Sequence, residues 1–226
     1  MSLPALSVIV PVMNAARFMA EGLQSVVDQD YPDLDLIVVY GTSTDRTREI
    51  AASFEGARVL EQEGVGLSAA WNTGIAAARG ELVAFLDSDD IWVPGSLVRR
   101  VAHLAARSEA DYSIGMVEFF LEPGYEIPVG FKAQLLEGPR LSPIPGTFIG
   151  RKTVLDALGG FDTGLKLAGD VDFFARLKDR EVPRVDFPEL VLRKRVHDTN
   201  LSNDAKVNNR ELLSLLRQSI RRQRSA

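Results

Sequence analysis

Asp87-Ser88-Asp89-Asp90 sets three carboxylates within four residues, directly after the apolar run Leu82 to Leu86. Like charges crowded at the rim of a core repel one another and resist desolvation, so such a cluster needs a cation or donor groups to neutralise it. An Asp-x-Asp pair offers only hard oxygen ligands, a set that suits Mg²⁺ or Mn²⁺ holding a diphosphate. Asp90 alone would suffice to cap a following helix, and three acids are more than a cap needs. The apolar run reads as a fully buried strand of a parallel sheet, and the carboxyl ends of such strands are where α/β sheets bind ligands.

Alternating strands and helices must position that cluster. Leu6 to Val12 reads as a buried first strand, with Pro11 expected to end its ladder for want of an N–H. Asn14 is the expected cap of a helix running to about Asp28. Leu34 to Tyr40 reads as the second strand, followed by the small polar run Gly41 to Asp45 and a helix from Arg46 to Ser53. Arg58 to Glu61 is a short third strand, Glu63 to Gly66 a turn, and Leu67 to Arg79 a helix with Gly80 as its C′ residue. Three such alternations mark a right-handed parallel sheet. Pro94 fits the first turn of a helix to about Ser108, and further strands are expected at Asp111 to Phe120, Gly146 to Gly150 and Val191 to Val196. Helices are expected at Thr153 to Leu158, from Ala168-Gly169-Asp170 to about Asp179, and over residues 204 to 224. Residues 121 to 145 hold five prolines and three glycines, and read as an irregular, mobile loop over the site.

Composition narrows the chemistry. The 226 residues are 46% apolar and 25% charged, which is ample for one α/β domain with a buried core. There is no cysteine, and His103 and His197 are the two histidines, which excludes disulfides, thiolate chemistry and a zinc site built on several imidazoles. A net charge of −5 argues against a nucleic-acid partner. No apolar run reaches the length of a membrane span, and no basic-then-apolar leader opens the chain, so a soluble, cytoplasmic protein is expected.

These residues together resemble the family-2-like, A-type-fold nucleotide-sugar glycosyltransferases, over roughly residues 6 to 200. The run VIVPVMN is similar to the family's opening strand, whose end lies beside the nucleotide. GVGLSAAWNTGIAAARGELVAFLDSDD is similar to its glycine turn, Asn-bearing helix and DxD strand. PGTFIGRKTVLDALGGFD resembles its acceptor-side strand and helix, AGDVDFFARL the segment with the catalytic base, and RVHDTNLS the late strand with a histidine. The fold implied is a single-domain α/β glycosyltransferase with a Rossmann-like, mostly parallel sheet. Its nucleotide-binding half would span about 1–110, its acceptor-side half about 111–200 and its terminal helix about 204–224.

The resemblance implies transfer of a sugar from a nucleoside diphosphate to an acceptor hydroxyl, on a sugar, a lipid-linked carrier or another molecule, with inversion. Asp89 is the implied principal metal ligand, with Asp87 beside it near the ribose, and the cofactor Mn²⁺ or Mg²⁺. Pro11, Asn14, Gly41, Asp87 and Ser88 would line the nucleotide. His197 would complete the metal or diphosphate site, or else is a surface histidine after the basic run Arg193-Lys194-Arg195. Asp170 matches the family's base, and as a plain residue it also suits a helix N-terminus. Asp172 is placed to pair with Arg176. The chain departs from the family where two aspartates commonly follow the second strand. Here stand Tyr40 and Gly41, so the acid that usually reads the base is missing, and Tyr40 either stacks on the base or packs at the sheet edge. Gly169 likewise replaces an acid before Asp170. These departures motivate the rival reading of a nucleotide-sugar-binding protein without activity. A nucleotidyltransferase would want a Gly-rich basic loop, and an aspartyl phosphatase an Asp pair, where Pro11 to Asn14 stand. Trp71 and Trp92 read as core, Trp92 alternatively as a pocket wall. The arginines and leucines of residues 210 to 224 fit a packed helix or, alternatively, an anionic membrane surface.

Overall fold

The computed structural model describes residues 3–198, 200 and 205–225. Residue 204 of the expected terminal helix and residues 199, 201 and 202 of the RVHDTNLS run lie outside these, as do the side chains of Arg210, Arg221 and Arg224.

A run that is apolar and mostly β-branched apart from Ser7 makes Leu6–Val12 (β1) a strand buried on both faces. After it come Met19–Val27 (α1), Leu34–Tyr40 (β2), Thr47–Ser53 (α2), Arg58–Glu61 (β3), Leu67–Ala77 (α3) and Leu82–Phe85 (β4). The strands pair in parallel in the order β3-β2-β1-β4. The chain thus steps outward from β1 to β3 and returns to the far side of β1, which creates a topological switch between β1 and β4.

The second half is mixed. It comprises Ile91–Trp92 (β5), Ser96–Ala105 (α4), Tyr112–Leu121 (β6), Arg140–Leu141 (β7), Phe148–Arg151 (β8), Lys152–Leu158 (α5), Gly169–Asp179 (α6), Arg184–Val196 (β9) and Ala205–Ser225 (α7). The sheet continues β4-β8-β6-β9-β5, with β7 on β6; β8 runs antiparallel to β4 and β6, and β9 parallel to β6. Alternate side chains divide between two cores. Val8 and Val10 face Leu23, Trp92 and Leu97, while Ile9 faces Trp71, Phe85 and Phe173.

Several local expectations change for physical reasons. Alternate residues of β1 point to opposite neighbours: Val12 accepts the Gly41 N–H on the β2 side, and Ile9 accepts the Leu86 N–H on the β4 side. Pro11 shares the β4 side with Ile9, and there pairing stops at Ile9 and Phe85, whereas the β2 ladder runs on to Val12 and Tyr40. Pro11 therefore ends one ladder of two. Asn14 is not a helix cap, because α1 starts only at Met19; it sits at φ 48° and its Oδ1 accepts the Thr44 N–H at 2.9 Å, tying the loop after β1 to the loop after β2. Gly80 is not a left-handed C′ residue, since α3 ends at Ala77 and Ala78 is already extended. Gly80 is needed for close approach: a Cβ there would lie 2.4 Å from the Ser7 backbone nitrogen. Pro94 precedes α4 instead of entering it, with Gly95 at φ 66° between them. The proline-rich loop carries two short pieces of order, β7 and a 3₁₀ turn at Ala133–Leu136. The late strand begins seven residues before the expected start, and Pro188 falls in the stretch where its register with β6 shifts. Among the described residues no helix is long and apolar enough to cross a membrane.

Gly80→Ala should destabilise the chain by about 2 kcal/mol, because the added methyl meets backbone that cannot swing aside. A lower urea midpoint at unchanged slope is the expected readout; an unchanged midpoint would mean that β1 and the segment before β4 can part freely.

Candidate functional site

The acidic loop starts where β4 leaves β1. Asp90 N–H closes it onto the Asp87 carbonyl at 3.1 Å. Behind it lies α1, so close that a Cβ on Gly22 would come within 2.8 Å of the Ser88 carbonyl oxygen. Asp87, Asp89 and Asp90 hold oxygens within 4.8 Å of one another.

Their environments differ, and the difference comes from β9. Asp90 is fully buried and accepts the Arg195 N–H at 2.9 Å and the Lys194 Nζ at 2.8 Å. Lys194 also reaches Asp87 Oδ2 at 3.1 Å. Burial pushes the Asp90 carboxyl up against the pull of Lys194, with Asp89 and Asp87 adding to the push. Burial equally opposes the charge on Lys194, but Asp90, Asp87 and Asp89 outweigh it and hold the ammonium well above its ordinary value. Asp89 Oδ2 lies 3.0 Å from His197 Nε2 and accepts Asn200 Nδ2 at 3.2 Å. Burial would raise its carboxyl, yet His197 and Lys194 overcome that and lower it. His197 is buried beneath Phe18, not on the surface. Arg195 Nε donates to the Asp89 carbonyl at 2.9 Å, its other nitrogens meet Glu122 and Glu21, and Phe18 and Phe120 flank it. Sequence reading had left Lys194 and Arg195 as a basic run. The available signal was their place between Leu192 and Val196, inside an apolar strand, in a chain with three acids to neutralise.

A divalent cation fits this donor set. Asp87 and Asp89 keep about a quarter of their side chains exposed (25% and 26%), and His197 adds an imidazole beside Asp89. Asp90 is spoken for by Lys194 and the Arg195 N–H.

The other expected residues fall around the carboxyl edge. Pro11 and Gly41 are buried there, Ser88 is partly exposed within the acidic loop, and Asn14 is exposed. Two residues the sequence reading missed hold the edge together: Asp45 Oδ2 accepts the Ala16 N–H at 3.0 Å, and Thr47 Oγ1 accepts the Ala15 N–H at 2.7 Å. Tyr40 packs at the sheet edge, its hydroxyl accepting the Ser43 N–H at 3.2 Å and Arg48 lying over its ring. Trp71 and Trp92 are core; the Trp92 indole donates to the Gly146 carbonyl at 2.9 Å.

Asp170 stands in the first turn of α6 and accepts its neighbour Val171's N–H at 2.8 Å. Burial pushes its carboxyl up; the Val171 N–H opposes this, Asp87 adds to it and Lys194 opposes it. Asp172 pairs with Arg176 at 2.6 Å, as the spacing suggested. Gly169 faces α3, where a Cβ would sit 2.4 Å from Ser68 Oγ. From α7, Glu211 accepts the N–H groups of Lys166, Leu167 and Ala168 at 2.9, 3.0 and 3.0 Å. Arg222 binds Asp179 at the other end of α6.

A parallel sheet with an acid-rich loop at its switch point and an acid at the head of a facing helix is the architecture of the A-type glycosyltransferases. Superposition on solved structures bears out that fold: S. aureus TarS 1-349 in complex with UDP-GlcNAc gives a TM-score of 0.75 at 21% identity, covering 96% of this chain and 66% of that one. The mannosyltransferase PcManGT from Pyrobaculum calidifontis, in complex with GDP-Man and Mn²⁺, gives 0.70 at 24% identity over 96% of this chain and 64% of that one. The description "Glycosyl transferase family 2" matches residues 7–161, and the chain belongs to this family. Among curated relatives, the glycosyltransferase GlyA of Streptococcus pneumoniae is 37% identical over 52% of this chain and 17% of its own length. The uncharacterized glycosyltransferase RT0329 of Rickettsia typhi is 29% identical over 89% of this chain and 67% of its own length. The chain thus spans between under a fifth and two thirds of these relatives.

Lys194→Met should cost about 3 kcal/mol in chemical denaturation, because it strands the buried Asp90 beside two other acids. Adding Asp90→Asn should recover much of the loss. A double variant no more stable than Lys194→Met alone would show that the pair is not what Lys194 stabilises.

Proposed function

We propose that the chain transfers a sugar from a nucleoside diphosphate sugar to an acceptor hydroxyl, with inversion at the anomeric carbon. The observation that carries this reading is the acid cluster: Asp87 and Asp89 partly exposed at the switch point, with Asp90 neutralised behind them by Lys194. The UDP-GlcNAc bound by TarS and the GDP-Man bound by PcManGT support a donor of this class. Mn²⁺ or Mg²⁺, held by Asp89 and Asp87 with His197, would offset the charge that gathers on the departing diphosphate. Pro11, Asn14, Gly41 and Ser88 would lie along the nucleotide.

Asp170 is the base. Burial leaves its carboxylate poorly solvated and so more avid for the proton of an attacking hydroxyl. Residues 1–110 form the donor half and 111–200 the acceptor half. In the latter, Tyr125, Ile127, Val129 and Asp198 line an open cleft of 610 Å³ next to His197. The acceptor is a sugar, a lipid-linked carrier or another hydroxyl compound.

Asp89→Ala should abolish the Mn²⁺-dependent rise in melting temperature that a nucleoside diphosphate produces on the wild type. A variant that keeps the full shift would remove Asp89 from the metal site. Asp170→Asn should lower turnover by about 10²–10⁴-fold with nucleotide affinity intact. The acid limb of the wild-type rate profile should lie above that of an ordinary aspartate, since a raised carboxyl keeps its proton, and so stays inactive, to higher pH. The same sign governs stability: an acid raised by folding favours the folded state at low pH and opposes it once pH exceeds the folded value. Asp170→Asn should therefore be at least as stable as the wild type at neutral pH; a clear loss would mean that the ionised carboxylate has a structural role.

A further inference from the structure

Beyond the acid cluster the carboxyl edge continues as a row of three residues: Met13 after β1, Gly41 after β2 and Gln62 after β3. Gln62 is held firmly. Its N–H donates to the Tyr40 carbonyl at 2.9 Å, which keeps it alongside β2. Its side-chain Nε2 donates to the Gly66 carbonyl at 2.9 Å and to that of Gly64 at 3.3 Å. Both partners are acceptors, so the amide's orientation follows from its bonding: nitrogen toward the turn, oxygen away from it. That oxygen lies by Gly41, 2.9 Å from where a Cβ on residue 41 would stand, with the Met13 Cβ 3.3 Å from the same spot. Among the described residues no donor reaches Oε1, and neighbouring Met13 is 59% exposed.

We propose that Gln62 Oε1 reads the base of the nucleotide donor, as an acceptor standing where Gly41 has no side chain to offer. The inference rests on the donor-site reading above and adds to it the class of base. From the end of β4 to the end of β3 is three strand spacings, roughly 14 Å, close to the reach of an extended nucleoside diphosphate. A diphosphate anchored at Asp87 and Asp89 has Lys194, Arg195 and His197 closing its other flank, which directs the nucleoside over β1 and β2. Oε1 has no proton to give there, because the amide hydrogens are committed to the turn. It accepts from a ring N–H, as uracil and thymine present at N3 and guanine at N1. Cytosine and adenine present a bare ring nitrogen at the corresponding edge, and two acceptors face to face leave both unsatisfied. The exposed thioether of Met13 offers an apolar surface for the flat of the ring.

The test is calorimetric titration of UDP, GDP, CDP and ADP in the presence of Mn²⁺. The wild type should bind UDP or GDP at least about tenfold more tightly than CDP and ADP. In Gln62→Leu the tightest of the four should come within about threefold of CDP and ADP, with the melting temperature of the free protein confirming that the chain is folded. Gly41→Ala, which keeps Gln62 but crowds Oε1 aside, should erode the same preference, and it serves if the leucine variant fails to fold. Equal binding of all four by the wild type, or a preference that survives both substitutions, overturns the role of Gln62 while leaving the donor site standing. Binding of none of them removes the donor-site reading, and this inference with it.

Discussion

The arrangement of this chain depends on one electrostatic problem and its solution. Three aspartates at the end of a core strand cannot all remain ionised beside one another without compensating charge. The compensation comes from a strand more than a hundred residues later: Lys194 and the Arg195 N–H on Asp90, the Arg195 guanidinium on the Asp89 carbonyl, and His197 on the Asp89 carboxylate. Only a sheet that brings β9 round beside the β4 loop satisfies all of these at once, and the short β5–β9 pairing fixes the approach. Buried acid and basic strand are therefore a packing constraint as much as a functional one. Burial sets the three apart: Asp90 is fully buried, whereas Asp87 and Asp89 keep about a quarter of their side chains exposed.

The first half of the chain was largely legible because β1, β2 and β4 are dominated by apolar residues and its helices lie between recognisable turns. What misled were residues with two physical uses. Asn14 is a good helix cap by type, but it bridges two loops. Gly80 is a good helix terminator by type, but it is glycine because Ser7 leaves no room for a methyl group. Pro11 was read as a strand terminator and is one on the β4 side alone. The second half was harder. Pro188 and the polar start of β9 hide a thirteen-residue strand, whose pairing with β6 is visible only in three dimensions. The three acids were evident in sequence, but the basic residues that answer them were not, since a charge run inside a strand has no local partner.

The two departures from the family pattern acquire local explanations. At Gly169 a Cβ would sit 2.4 Å from Ser68 Oγ, so a side chain there would have to turn that hydroxyl aside. At Gly41 the Gln62 Oε1 lies 2.9 Å from where a Cβ would stand, so a side-chain oxygen already borders that spot.

Glu211 has a consequence for how the protein comes into being. A chain emerging from the ribosome delivers β4 and its acids first, Lys194 about a hundred residues later, and only then Glu211, which accepts the N–H groups of Lys166, Leu167 and Ala168 ahead of α6. Non-local contacts of this span form slowly, and a half-made sheet exposes its edges meanwhile. The nascent molecule therefore passes through a stage in which the acidic loop exists without its basic answer and α6 without its clasp. The acid cluster is thus neutralised only once β9 has been made and has joined the sheet, so a chain cut short of Lys194 carries three acids with no basic partner.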